Sequence, residues 1–485
     1  MAKNASARLD NLPNEILDGI AAQLDRSTLY ALTLVCKKTA ASATIALYST
    51  YANVDPPSVA PFSLFLRTLC EVPRLAALVT TVKVRGWRSE YEVANGVAWR
   101  GVEPLKNTDE VMPQRSKPML ASANKSLNAA QNKFDLFHRA AVRAGLVKPG
   151  SHSTAPLKST LDQDRLLRND EDFVRLLKHD VEDAHFILLL ALLPNLDCVG
   201  VSGLSVYSTL DWYTFLSRSK GALQKVTSLF IHGSQPREHE PILQTSMQVL
   251  DILPQLQILC ISNMSVQGHR YTVASLPTKA IRTLWFSRCA ICHRLLAKIF
   301  ANQKPETLVY LPRHREIQTI HSAATLNENQ ITTALGEAKN SIQKLCLYPN
   351  GPSPHQRTAE YASLKYLHMP HITMLPQNST STAPADINRA LRYALPPTLQ
   401  TLTLHRCYID RPMEPIVQQL VELKTAGRLP HIASLSLMFD ESLSIMGSAA
   451  WVIVVFIEER LRKAVEGSGI ELHIELGNYG GAIGA

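Results

Sequence analysis

The chain has 485 residues, 46% hydrophobic and 19% charged, with a net charge of +9 at pH 7. That length and apolar content exclude a mostly disordered chain and predict two or more folded units; the longest apolar runs, 186–193 and 449–457, fall well short of the roughly 20 residues of a membrane-spanning helix, so no membrane association is expected. The eight cysteines are scattered along the chain, which predicts reduced thiols and a cytoplasmic or nuclear protein, not a disulfide framework.

The polar start, Met1-Ala-Lys-Asn-Ala-Ser, reads as no export signal and runs directly into an apolar pattern. From Leu9 to Leu17 the sequence is Leu-Asp-Asn-Leu-Pro-Asn-Glu-Ile-Leu. Leu12, Ile16, Ile20 and Leu24 fall at helical spacing with Leu17 beside them, behind a Pro13 that suits the first turn of a helix. Leu29, Leu32, Val35 and Cys36 form the stripe of a second short helix, and 40–48 predicts a third with Ala43 and Leu47. Three helices in about forty residues enclose too little interior to bury all this apolar surface. Part of the stripe therefore needs a partner, in this chain or in another.

Residues 55–61, Asp-Pro-Pro-Ser-Val-Ala-Pro, read as a linker, 61–78 as a helix and 79–84 as an alternating strand. Residues 51–96 are thus a linker and a first helix–strand unit. The stretch 97–160 is polar and basic, with ten Lys/Arg against four Asp/Glu between Arg100 and Lys158. It is expected to be a partly disordered insert with a helix within 124–143. It lacks interleaved aromatics for base stacking, so a solvated loop is expected and not a nucleic-acid surface.

Residues 161–485 have a different rhythm: two apolar residues two apart, two polar positions, then a small or thiol-bearing side chain. The clearest pair is Thr283-Leu-Trp-Phe-Ser-Arg-Cys-Ala-Ile and Thr401-Leu-Thr-Leu-His-Arg-Cys-Tyr-Ile. Weaker copies begin at Val199, Leu229, Leu259, Leu345, Leu367 and Leu435, and one is expected near Leu308-Val-Tyr310. Helices are expected between them, at 212–221, 241–253, 293–302, 327–340, 385–395 and 412–425, then at 443–465 before a last strand, 470–476. Each strand–helix unit leaves an apolar face that only a stacked neighbour can cover, and the Cys at the corner is expected to satisfy buried backbone groups. An ordinary α/β domain of βαβ units is the competing reading, but it does not require the repeated corner.

The Leu-Pro-x-Glu-Ile-Leu, the Leu-x-x-Leu-x-x-Val-Cys-Lys and the closing Leu47-Tyr48 make residues 9–50 resemble an F-box. With the later repeats, the chain resembles fungal-type F-box proteins carrying irregular leucine-rich repeats. The resemblance implies an α/β protein: a short N-terminal three-helix F-box followed by a leucine-rich-repeat-like solenoid. It implies a substrate-recognition subunit of an SCF-type cullin–RING ubiquitin ligase, not itself an enzyme. Its partners would be an adaptor of the SKP family, through it a cullin, and a target protein held by the repeats. Leu12, Pro13, Ile16 and Leu17, with Ile20 and Leu24 behind them, would enter the adaptor's groove; Leu29, Leu32, Val35 and Cys36 would extend that contact or hold the helices together. Lys38-Thr39-Ala40-Ala41 departs from relatives with an Arg and an aromatic there, which leaves the third helix fewer large anchors. The alternative is a non-catalytic repeat scaffold whose F-box-like helices only cap the solenoid.

On the repeat strands, residues flanking the inward apolar pair point outward. These are Phe230, His232, Trp285, Ser287, Tyr348, His368, Thr403 and His405, the expected target-binding surface. No metal or other cofactor is expected. Cys289-Ala-Ile-Cys292-His293 matches the c-type haem attachment pattern, but Cys289 is accounted for as a repeat corner and no second ligand pair lies near for zinc. The cluster Asp162, Asp164, Asp170, Glu171 and Asp172 sits among Arg165, Arg168 and Arg175 and is expected to be a self-paired solvated face.

Overall fold

A computed structural model of the chain describes residues 9–53, 63–85, 88–96, 120–159, 169–204, 211–219, 221–233, 249–263, 265–266, 281–291, 293–311, 328–347, 358–371, 384–407, 413–439 and 448–476. The chain divides into two compact units, Met1–Leu256 with Pro277–Lys279, and Gln257–Leu276 with Ala280–Ala485.

The first unit opens with three short helices, each started by a residue suited to the task. Helix α1 (Asn14–Ala21) follows Pro13 directly. Asp25 caps α2 (Arg26–Thr33): its Oδ1 accepts from Thr28 N at 2.9 Å. Cys36 caps α3 (Lys37–Ser49) in a capping box, with Cys36 N donating to Thr39 Oγ1 at 3.2 Å and Thr39 N donating to Cys36 Sγ at 3.5 Å. Ala21, Leu29 and Ala43 form the small core between these helices, with Leu24, Leu32, Ala46 and Leu47 packed around it.

Helix α3 runs without a linker into β1 (Thr50–Ala52), and Ser49 O accepts from Thr80 N at 2.9 Å just before β2 (Thr81–Arg85). Between them lie α4 (Ser63–Glu71) and a 3-10 turn, Pro73–Leu78. Then come α5 (Glu90–Ala94), α6 (Leu120–Arg143), α7 (Asp170–Lys178), α8 (Glu182–Ala191), β3 (Cys198–Leu204), α9 (Trp212–Leu216) and β4 (Ser228–Gly233). The four strands are parallel and lie side by side in chain order. Tyr51, Val82, Val199 and Leu229 stand in one register row, all buried. The ladder therefore begins at β1 and β2, within the segment expected to hold a linker and a first unit.

Within the insert expected over 97–160, the helix expected at 124–143 is present as part of α6 (Leu120–Arg143), but it is packed into the unit and not a loose segment. Helix α6 packs against α4, α7 and α8. It buries Phe137, Ala140 and Ala141, and Leu146 and Val147 follow them into the interior. The reason is the spacing 137, 140, 141, an apolar stripe that the basic composition of the region obscured. Residues 97–119 lie outside the described residues.

Charge is buried beside this helix. Arg175, expected on a solvated face, is 4% exposed; its Nη2 reaches Glu90 at 3.2 Å and Asp172 at 3.1 Å. Glu182 accepts from Arg88 N at 2.6 Å, Nε at 3.2 Å and Nη2 at 3.1 Å. Burial pushes the Glu182 carboxyl up, with Arg88 pulling the other way. These pairs fasten the segment carrying α5 to α7 and α8. Of the same acidic–basic stretch, Asp162, Asp164, Arg165 and Arg168 lie outside the described residues.

In the second unit, eight strands are parallel and again neighbour one another in chain order: β5 (Ile258–Ser262), β7 (Thr283–Ser287), β9 (Thr307–Leu311), β10 (Lys344–Leu347), β11 (Tyr366–Pro370), β12 (Thr401–Cys407), β13 (Ser434–Phe439) and β14 (Glu471–Leu476). The short strands β6 (Ser265–Val266) and β8 (Ala290–Ile291) pair separately. Helices α10 (His293–Asn302), α11 (Glu328–Leu335), α12 (Pro384–Ala394), α13 (Glu414–Thr425) and α14 (Ser448–Val465) occupy the connections. Leu259, Leu284, Leu308, Leu345, Leu367, Leu402, Leu435 and Leu472 form one register row, each at most 6% exposed. Among the described strands the order never reverses, so they show no switch point of a doubly wound sheet.

The corners behave as the repeat demands. Asn263 and Arg288, each directly after its strand, take φ of 54° and 53°. Cys289 Sγ donates to Ile261 O and Ser287 O, both at 3.2 Å, and Cys407 Sγ donates to Leu404 O at 3.3 Å. Both thiols are fully buried, and burial pushes that of Cys407 up to about 12.

Two stability predictions follow from the first unit. Arg175→Met strands Glu90 without its cation and is expected to cost about 3–5 kcal/mol in urea unfolding, part of it recovered by adding Glu90→Gln. His185 is fully buried, and burial lowers its pKa from 6.5 to about 4, Asp180 opposing. The folded state thus holds it neutral while the unfolded chain takes up a proton, so stability falls as pH drops from 6.5 towards 4. Melting curves across that window are expected to flatten in His185→Phe.

Candidate functional site

The N-terminal helices carry two classes of apolar side chain. Leu17 and Leu29 are 2% and 5% exposed and close the module's own interior. Ile16 and Ile20, one turn apart on α1, are 51% and 37% exposed, and Pro13 is exposed before them. Val35 is 63% exposed, and Tyr30 and Leu34 beside it are more than half exposed as well. One hydrogen bond ties the two ends of this ridge together: Lys38 Nζ donates to the Leu12 carbonyl at 2.5 Å. It holds the Leu12-Pro13 start of α1 against the corner that carries Val35 and Cys36. Thr39 Oγ1, buried under the same corner, donates to Leu32 O at 3.2 Å.

The expected adaptor-binding residues therefore separate. Pro13, Ile16, Ile20 and Val35 are available on the surface, and Leu12 is half-buried at its edge. Leu17 is a correction: it is buried, because its place beside the 12–16–20 stripe turns it away from the exposed face of α1. Leu24 and Leu32 pack on the small core, Leu29 belongs to it, and Cys36 serves as the cap of α3. Tyr30 and Leu34 were missed; their i, i+4 spacing was the available signal. Lys38, noted only as a departure from the family pattern, supplies the tie.

The expected target surface also divides. In the first unit, Phe230 is 38% exposed and His232 is exposed. In the second, Ser287, His368 and Thr403 are half-buried, and Trp285 packs with Leu311 on the buried pair Val309 and Cys346. Tyr348 lies outside the described residues. His405 is a correction: it is fully buried, its ring edge-on to that of His368 at 4.8 Å. Its register neighbours Pro370 and Met438 are buried too, so the row beyond the second leucine is covered at these strands.

A cleft of about 450 Å³ in the first unit is lined by Leu69, Cys70, Pro73, Arg143, Leu192 and Arg218, among others. Burial pushes the Cys70 thiol up to about 12, which makes it a poor nucleophile. Arg218 is engaged by Asp170 at 2.6 Å. Among the described residues no group of three or more His, Cys, Asp or Glu is placed to hold a metal ion, and no helix is long and apolar enough to cross a membrane. Of the Cys-x-x-Cys-His stretch, Cys289 is committed to backbone carbonyls and Cys292 lies outside the described residues. Compared with known protein families and with curated proteins, the chain matches none.

The division between core and ridge is measurable. Leu17→Ala is expected to destabilise the module by about 2–5 kcal/mol, whereas Ile16→Ala is expected to change stability by about 0.5 kcal/mol or less. Urea unfolding of the two variants checks this.

Proposed function

We propose that this chain is the substrate-recognition subunit of an SCF-type cullin–RING ubiquitin ligase, an F-box followed by a leucine-rich-repeat-like solenoid. The F-box is the module of α1, α2 and α3, and its partner is an adaptor of the SKP family. The observation that carries the reading is the exposed apolar set Pro13, Ile16, Ile20 and Val35 on a module whose interior is built on Ala21, Leu29 and Ala43. Exposed apolar side chains at one-turn spacing behind a helix-starting proline suit a hydrophobic groove on another protein. The solenoid reading is supported by parallel strands that never change order within a unit, by the single leucine row and by the Cys corners.

Ubiquitin transfer then belongs to other subunits, and this chain supplies proximity and orientation between adaptor and target. Such a role fits a cytoplasmic or nuclear protein with reduced thiols. The scaffold reading, in which the helices only cap the repeats, requires Leu12 and Ile16 to be covered by the chain itself; Leu12 is half-buried and Ile16 is 51% exposed.

The test is co-purification of the adaptor with the full chain and with a Leu12→Asp, Ile16→Asp double variant. The expected outcome is recovery with the wild type and loss of at least tenfold with the variant, about 1.4 kcal/mol or more of binding energy, while the far-ultraviolet circular dichroism stays unchanged. Equal recovery of adaptor by both proteins defeats the assignment.

A further inference from the structure

Helix α4, the 3-10 turn Pro73–Leu78, the ends of α6 and α8 and the turn after α9 meet around the cleft of about 450 Å³ in the first unit. Its walls are aliphatic, with Leu69, Pro73, Ala76, Leu192 and Pro194 among them. Of the described residues that line it, none is aromatic and none is acidic. Contacts behind the walls fix the shape. Asn195 Nδ2 donates to Ala77 O at 2.7 Å and ties the segment after α8 to the 3-10 turn. Gly145, at φ 77°, lies so near the turn after α9 that a Cβ there would meet Arg218 O at 3.3 Å. That approach sets Arg143 and Ser219, both of which line the cleft, on neighbouring turns.

The charges around the cleft are not balanced. Arg218 is held by Asp170 and lies over the Phe215 ring, 5.2 Å from its centroid. Glu71, whose charge is felt at Cys70, pairs with Arg67 at 3.6 Å. Arg143 is exposed and its charge is also felt at Cys70, yet among the described residues no carboxylate pairs with it. The end of α6 does not absorb that charge, since Ala144 N, Leu146 N and Gly145 N already donate to Ala140 O, Ala141 O and Val142 O. Ser219 is 7% exposed, and its hydroxyl has no hydrogen-bond partner among the described residues.

We propose that this cleft binds the anion of a medium-chain fatty acid, its alkyl chain against the aliphatic walls and its carboxylate on Arg143 and the Ser219 hydroxyl. The volume lies within the range of small-molecule pockets, about 300–1,000 Å³, and oily walls with a few polar groups are their usual make-up. Walls without an aromatic side chain offer an alkyl chain full contact and a planar ring no stacking partner. A single guanidinium matches a single carboxylate, which it can hold by two parallel hydrogen bonds. Fatty-acid binding of this kind does not depend on the ligase role.

The probes are sodium octanoate and sodium decanoate, titrated calorimetrically into the full chain below their micellar concentrations. Octan-1-ol, octylamine and acetate are the controls. Saturable binding of both acids is expected, about tenfold tighter for decanoate because two further methylenes leave water. Octanol is expected to bind at least tenfold more weakly than octanoate, and octylamine and acetate to give no saturable signal. Arg143→Gln is expected to weaken octanoate about tenfold or more and to leave octanol unchanged. Ala144→Phe, which places bulk in the cleft from a half-buried position, is expected to abolish binding of both. Absence of saturable decanoate binding, octanol binding as tight as octanoate, or unchanged octanoate affinity in Arg143→Gln overturns the proposal. Octylamine binding more tightly than octanoate overturns it as well, since the site would then prefer the opposite sign of charge.

Discussion

Every strand of the second unit's parallel sheet presents apolar residues that lose their water only when the next strand is laid beside it. A five-residue strand with two leucines and one short helix has no inside of its own. Placed in register, Leu284, Leu308, Leu345, Leu367, Leu402 and Leu435 become a continuous dry row. That requirement fixes parallel direction, chain-order neighbours and a common register together, since a slip of one residue would turn each leucine outward. It also explains the corners. A chain that turns at the end of a buried strand leaves carbonyls to be met there, and the thiols of Cys289 and Cys407 do so, the first at Ile261 O and Ser287 O, the second at Leu404 O.

The N-terminal helices obey a different economy. Their interior is made of small residues, Ala21 and Ala43 about Leu29, which lets three short helices close on very little material. The larger apolar side chains are left over on the outside. Their exposure is not a failure of folding, because the caps at Asp25 and Cys36 and the Lys38–Leu12 tie fix the backbone that displays them. The same residues that resemble a family motif thus divide between those that build the display and those displayed.

Much of this was legible in the sequence, and the reasons for the rest are specific. Helix 293–302 and the strands at 284, 308, 345, 367, 402 and 435 follow from apolar spacing alone, because a buried row leaves a regular period. Spacing could not tell Leu17 from Ile16: both are apolar and adjacent, and only the packing of the folded chain decides which is covered. His405 occupies an outward position by alternation, yet its strand neighbours Pro370 and Met438 enclose it, which is a property of three strands and not of one. The burial of helix α6 was hidden because charge composition averages over a face that is apolar and a face that is not. Arg175 was misplaced for a related reason, its partner Glu90 lying 85 residues away in sequence.

The direct passage from α3 into β1, with Ser49 shared between the helix end and the Thr80 amide, has a mechanical meaning. A flexible tether would let the strands sample a wide volume around the three helices. Here the first strand is an extension of the last helix, so torque applied at the one is felt at the other. In the proposed receptor, a target held by this unit would be presented along a set bearing, and only those of its surface groups that face that bearing would come within range. Selectivity of this kind comes from aim and adds to whatever discrimination the contacts themselves provide.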